Sequence, residues 1–202
     1  MEQFGKLMFS TRVQAEQEAR GSRAACANLA ARPAPEGLGP DEVAFLTTRT
    51  SFYMASVGET GWPYVQHRGG PRGFVKLLDP QTIGFADYRG NRQYVSTGNL
   101  KGDDRVSLFF MDYPRKSRLK LLGHARIIEA GDDPELMENL ATDGAGRVER
   151  GVVIRVAAFD WNCPQFITPR FDADEMAALV GPEIDRMQAR IDALEAQLEG
   201  QQ

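Results

Sequence analysis

From Ser51 onward apolar and polar positions alternate in short runs, and the runs are separated by clusters rich in Gly, Pro, Asn and Asp. A period of two sends successive side chains to opposite faces of an extended chain, so each run predicts a half-buried strand. The runs are 52–57, 62–68, 73–79, 82–87, 105–112, 118–130 and 151–161, with a turn at 58–61 between the first two. Short strands at such regular spacing predict an antiparallel barrel or sandwich, so the fold class is mainly β with peripheral helices. Residues 91–102 lack the alternation and read as a loop with a helical turn.

Elsewhere the pattern is helical. Ala, Glu, Gln and Arg dominate 10–32, with Ser10 or Thr11 as the cap and Gly21 as an interruption. Pro and Gly make 32–40 a loop. Asp41 is expected to cap a short helix to Thr48, burying Val43, Ala44 and Leu46. Asp132, Asp133 and Pro134 open another helix, to about Ala141. The tail is helical from Asp172 and is expected to restart at Gly181–Pro182. Ile184, Met187, Ile191, Leu194 and Leu198 then follow at alternating spacings of three and four. That seam covers about two heptads, and packing on the parent domain weighs evenly with pairing in a dimer. The expected organisation is an N-terminal extension and linker over 1–40, a barrel domain over 41–171 and a C-terminal helix over 172–202.

Composition narrows the function. The 202 residues are 42% hydrophobic and 26% charged, with a formal net charge of −4. That balance argues against a general nucleic-acid binder. Basic residues are nevertheless clustered locally, at Arg68, Arg72, Lys76, Arg89 and Arg92. No run approaches the roughly 18–20 apolar residues that span a bilayer, and the first twenty residues lack the apolar core of a secretory signal. The two cysteines, Cys26 and Cys163, lie far apart without CxxC spacing. They read as free thiols in a reducing cytoplasm.

Three polar constellations carry candidate chemistry. In HRGGPRGF, Arg68 ends a strand before Gly69 and Gly70, which leaves a guanidinium and backbone amides open to a phosphate; spacing alone favours a plain hairpin turn. In DYRGNRQYVSTGN, Asp87 ends a strand, and Arg89, Asn91, Arg92, Gln93, Ser96 and Asn99 follow in a Gly-containing loop. Such a loop presents cationic and neutral donors to a phosphate, to hydroxyls or to a heterocycle, and a solvated connection is the plainer alternative. In RKSRLKLLGHARI, alternation sets Lys116, Arg118, Lys120, Leu122 and His124 on one face, where Arg118 is the one candidate contact. GxGxxG and GxxxxGK[ST] are both missing, which removes Rossmann and P-loop readings. His67 and His124 belong to no metal-ligand spacing, and no GxSxG supports nucleophilic hydrolysis. The aromatic segment 159–171, with Trp161 and Cys163, reads mainly as packing against the barrel.

Residues 45–126, and more weakly the chain on to Phe171, resemble the pyridoxamine-phosphate oxidase-like, FMN-binding split β-barrel family. Gly61-Trp62-Pro63-Tyr64 fits the family's first strand, and Phe74–Leu78 fits the second loosely. Phe85-Ala86-Asp87 stands where the family has Tyr-Thr-Asn, and Asn91-Arg92 stands near its Arg-Lys pair. Residues 104–110, DRVSLFF, fit its last motif. An inserted GGPRG and a longer 92–105 loop look more like the broad branch of FMN-binding relatives. So do GSR at 21–23, DYRGNRQ and NCPQFI. The C-terminal Arg-Leu-His-Asp-Arg pattern of the true oxidases is missing, which points away from the vitamin substrate.

The resemblance implies a six-stranded antiparallel split β-barrel with FMN in a groove at a homodimer interface. The flavin ring would then supply hydride or electron transfer. Arg68, Lys76 and Arg92, aided by Ser96, are the implied phosphate ligands. Gln66, His67, Asp87 and Asn99 are implied for ring or ribityl contacts, and Gly69, Gly70, Asn91, Gln93 and Arg118 complete the candidate set. The implied activity is an FMN-dependent oxidoreductase acting on a small molecule, with a reduced nicotinamide or a partner flavoprotein as electron source. A flavin-binding sensor or carrier without turnover is the rival, and a barrel using haem or a deazaflavin is a third reading.

Overall fold

In the computed structural model, which describes residues 1–142, 148–161 and 164–200, seven strands form one antiparallel sheet. They are β1 (Ser51–Val57), β2 (Pro63–Gly69), β3 (Lys76–Asp79), β4 (Thr82–Tyr88), β5 (Arg105–Asp112), β6 (Ser117–Glu129) and β7 (Val148–Trp161). Their spatial order is β2-β1-β5-β6-β7-β4-β3. Each run of alternating residues yields a strand, so the count is seven where the family resemblance implied six. The edge strand β3 is only four residues long and irregular in register between Leu77 and Asp79. Phe74 and Val75, expected inside that strand, are buried just ahead of it.

The sheet rolls up. Four strands separate β2 from β4 in the sheet order, about 24 Å across a flat sheet at roughly 4.8 Å per strand. Yet Arg68 on β2 and Asp87 on β4 form an ion pair at 2.8 Å. Phe52 on β1 meets Phe85 on β4 edge to face, with ring centroids 5.3 Å apart. The inward-facing alternate residues fill the barrel: Phe52 stacks on Phe110 at 4.5 Å, and Met54, Leu108, Leu119, Leu121, Val152 and Ile154 are fully buried around them. A glycine is required where β6 shifts register against β7. A Cβ on Gly123 would stand 2.7 Å from both the Arg155 carbonyl oxygen and Ile154 Cγ2.

The helices follow the sequence with local corrections. The first are α1 (Phe4–Met8), α2 (Thr11–Ala19) and α3 (Arg23–Ala30). Ser10 caps α2, and Gly21, at φ +73, divides it from α3. α1 was not foreseen, being too short to show a period. Helix α4 (Pro40–Thr48) begins two residues earlier than a cap at Asp41 would place it. Its cap is Gly39, whose N–H donates to Glu42 Oε2 at 2.9 Å, and Asp41 lies inside the first turn. Leu46 is buried as expected, but Ala44 is exposed, and Phe45 packs against the core instead. The loop expected over 91–102 contains a true helix, α5 (Val95–Gly102). Asp133 caps α6 (Pro134–Leu140).

Contacts divide the chain into two compact units, the first holding residues 1–112 and 117–164 and the second 113–116 and 165–202. The N-terminal helices belong to the unit that contains the sheet. In the second unit Arg170 lies over the Tyr113 ring at 5.1 Å. There Asp172 and Glu175 form a reciprocal capping box at the start of α7 (Ala173–Glu199). α7 runs unbroken through Gly181–Pro182, where a restart was expected, because a proline inside a long helix costs one backbone hydrogen bond without ending it. Cys26 is a free, half-buried thiol, and Cys163 lies outside the described residues. Among the described residues no helix is long and apolar enough to cross a membrane, and no group of three His, Cys, Asp or Glu side chains could hold a metal ion.

Candidate functional site

Alternation along β2 turns Tyr64, Gln66 and Arg68 to one face, where they are half-buried, and Val65 and His67 to the other. Rolling the sheet carries the first set toward the end of β4 and the loop that follows it. A cavity of about 170 Å³ opens there, lined by these three residues, by Asp87 and Tyr88, by residues 90–97 and by Glu149. The loop reaches it by a strained path, since Arg92 and Tyr94 take left-handed φ values of +61 and +53. Tyr94 is the N-cap of α5, and no side chain caps that helix. The first-turn amides of α5 have no intrahelical acceptors and carry the positive end of the helix dipole. Val95, Ser96 and Thr97, which bear them, line the cavity.

Around this helix end the charges are mixed. Asp87 accepts from Arg68 at 2.8 Å and lies 3.6 Å from Arg150 Nε. Arg150 sits behind the cavity wall and directly opposite Asp87 in the β4–β7 register. It also pairs with Glu149, donates to Thr97 Oγ1 at 3.4 Å and covers the Tyr94 ring at 4.7 Å. Burial works against the Arg150 cation, but a hydrogen bond with Tyr94 and the carboxylates of Asp87 and Glu149 outweigh it, so its pKa stands above the ordinary arginine value. Arg68 lies over the Phe85 ring at 5.6 Å, and its buried Nε has no hydrogen-bond partner. The Ser96 hydroxyl donates to Gln66 Oε1 at 2.8 Å. Asn91 Oδ1 accepts from the Gln93 amide at 3.1 Å and so tightens the loop. Arg92 has no carboxylate partner among the described residues and is exposed at the rim.

Seven of the sequence candidates therefore meet at one place: Gln66, Arg68, Asp87, Asn91, Arg92, Gln93 and Ser96. The other six do not line this cavity. His67 lies on the outer face of β2 against the Tyr53 ring, with centroids 5.6 Å apart. Gly69 ends β2, and Gly70 gives room to Phe74, whose atoms would stand 2.7 Å from an added Cβ. Lys76 starts β3 opposite Gly84. Asn99 turns to the other side of α5 and donates to Ser56 Oγ at 3.0 Å. Arg118 lies over the Phe109 ring at 6.0 Å.

Among the residues at this cavity that sequence reasoning left out are Tyr94, Thr97 and Glu149 in its lining and Arg150 behind its wall. Glu149-Arg150 directly precedes the apolar run at 151–161, and continuing that run's alternation backward would have placed Arg150 on the face of Val152 and Ile154. Nothing local marks Tyr94.

The family model described as pyridoxamine 5'-phosphate oxidase matches residues 38–161. No curated protein matches the chain. Among solved structures, HupZ of Group A Streptococcus is 17% identical, with a TM-score of 0.51 over 66% of this chain and 99% of that one. A Clostridium acetobutylicum protein of the pyridoxinephosphate oxidase family, related to general stress protein 26, is 16% identical, with a TM-score of 0.46 over 67% of this chain and 94% of that one. At such identities a structural likeness concerns the fold alone.

Proposed function

The chain belongs to the pyridoxamine 5'-phosphate oxidase family, and on that premise we propose that it binds FMN at the β2–β4–α5 cavity and acts as a flavin-dependent oxidoreductase on a small molecule. The observation that carries the reading is the uncapped N-terminus of α5, facing a cavity that also holds Arg68 and Arg92. A helix end with free amides and nearby guanidiniums suits a phosphate monoester. The orphaned Nε of Arg68 is a buried donor still lacking an acceptor, which fits an anionic or hydroxyl-bearing ligand. Asp87 and Glu149 limit the net positive charge, so the site suits one phosphate rather than a polyanion.

In this reading Arg92, Ser96, Thr97 and the first-turn amides hold the phosphate. Gln66, Asn91 and Gln93 supply neutral hydrogen bonds to the ribityl chain or ring. Asp87 and Arg150 position Arg68. Bound FMN would supply the hydride or electron transfer, and the protein's part is binding, orientation and exclusion of water.

A cavity of about 170 Å³ is smaller than the roughly 300–1,000 Å³ of typical ligand pockets, and in this reading a second chain packed beside it enlarges the site. The outer face of β1 and β2 offers exposed Tyr53, Val57 and Val65 for that contact, with Trp62 between the strands. His67 belongs to that face and would reach a flavin across the interface. Light scattering should show a dimer at micromolar concentration; a flavin-loaded monomer would overturn the shared site.

Arg92→Ala tests the assignment at an exposed position. A charge-assisted hydrogen bond is worth about 1.5–3 kcal/mol, so FMN affinity should fall by roughly 10- to 150-fold. Riboflavin, which lacks the phosphate, should lose little. Equal losses for both ligands would remove Arg92 from the phosphate site. Turnover is tested on the flavin-loaded protein: bleaching of the visible spectrum by a reduced nicotinamide, and its return in air, supports the enzyme. A spectrum that no donor changes supports a binding module.

A further inference from the structure

Helix α7 carries a seam that the cavity does not use. Ala177, Val180, Ile184, Met187, Ile191, Leu194 and Leu198 recur at spacings of three and four, and no residue of α7 is buried. Ile184, Met187 and Leu198 are 58%, 59% and 65% exposed. We propose that this face pairs, in parallel and in register, with the same helix of a second copy of the chain.

Direction and partner follow from the residues flanking the seam. Counting Ile184 and Ile191 as a positions makes Met187 and Leu194 d positions, and β-branched a with Leu at d favours two parallel strands. Arg190 then stands at g and Glu195 at e. In a parallel pair each g position faces the e position five residues on in the other helix, so Arg190 of each copy meets Glu195 of the other. Glu183, the preceding g residue, faces uncharged Gln188, so no like charges oppose each other there. Antiparallel pairing sets g against g and e against e, and loses both ion pairs. A lipid surface is a poorer occupant, because a membrane-surface helix carries a basic polar face, whereas this one carries Asp185 and Asp192 beside Arg186.

The stretch beyond Pro182 spans little more than two heptads, too short to hold two free chains firmly. It gains strength where another contact already holds the copies close and raises their effective concentration. The inference therefore rests on the proposed pairing of the barrels, and the experiment separates the two.

In the full chain with Cys26→Ser and Cys163→Ser, a single cysteine is placed by Leu194→Cys on the seam or by Ala189→Cys on the opposite face. Under mild oxidation, parallel in-register pairing brings residue 194 against itself. L194C should form a covalent dimer at least about tenfold faster than A189C. Adding Arg190→Glu should slow the reaction, and Arg190→Glu with Glu195→Arg should restore it. A dimer by light scattering with no preference for L194C would overturn the helix pairing while sparing the barrel contact. A monomer would overturn the barrel contact and, with it, this inference. Cross-linking at L194C that ignores both charge reversals would refute the parallel direction.

Discussion

Removing the Asp87 carboxylate tests how the barrel is closed around its cavity. Asp87 joins Arg68 on β2 to Arg150 on β7, at 2.8 and 3.6 Å. The side chains are 12% and 6% exposed for the two arginines and 19% for Asp87. Asp87→Ala would leave two buried guanidiniums without their shared counter-charge. Breaking a buried pair in this way costs about 3–5 kcal/mol. Two features place the cost at the low end: Arg150 keeps Glu149, and water can reach part of the space that Asp87 leaves. The expectation is about 3 kcal/mol, and roughly half that for Asp87→Asn, which keeps an acceptor but not the charge. For a chain of this size, about 3 kcal/mol lowers Tm by roughly 6–12 °C. The assay is urea unfolding of flavin-free protein at pH 7, run as a double-mutant cycle with Arg68→Met. Losing the arginine together with its partner should cost at least about 1 kcal/mol less than the sum of the single losses. A cost below about 1 kcal/mol for Asp87→Ala, or additivity within roughly 0.5 kcal/mol, would refute the view that this ion pair is buried and coupled.

Other expectations follow from particular contacts. Gly123→Ala would press a methyl group to 2.7 Å from the Arg155 carbonyl oxygen and Ile154 Cγ2, and should cost about 1–3 kcal/mol in the same unfolding assay; a neutral outcome would mean that the β6–β7 irregularity relaxes freely. Asp103 is held to a pKa of about 2, against 3.8 ordinarily, by hydrogen bonds from the Arg105 guanidinium and amide. Because the folded value is depressed, its contribution to stability is present above pH 3.8 and is lost as the pH falls through about 2. Carboxyl NMR should show that low midpoint, moving up toward the ordinary value in Arg105→Ala; no movement would remove the side-chain pair as the main cause. Flavin-loaded protein should not oxidise pyridoxamine phosphate, a substrate whose own phosphate needs a further set of cations. Residues 164–175 offer Arg170 as their one cation, with Asp172, Asp174 and Glu175 close behind. Aldehyde formation on the order of 1 per second or faster would reverse that expectation.

The sequence by itself determined what depends on a local period. Alternation located every strand, and Gly21, Asp133 and Asp172 marked breaks and caps, because such signals act within a few residues of where they are read. It also picked out the polar loop that lines the cavity, since Gly, Asn and Arg between two strands report a turn that displays donors. The tertiary structure decided everything that depends on closure and register. Gln66 and Ser96, 30 residues apart, meet only because the sheet rolls up. Rolling likewise turns Arg68 from an exposed hairpin arginine into the partner of Asp87. Arg150 enters the site through its position opposite Asp87 on β7, a long-range pairing that no local pattern encodes. His67 and Asn99 look equivalent to their neighbours in the sequence, yet they face away from the cavity, one by the alternation of its strand and the other by the turn of α5. Composition placed the donors along the chain, and the packing of the barrel core chose which of them share one space.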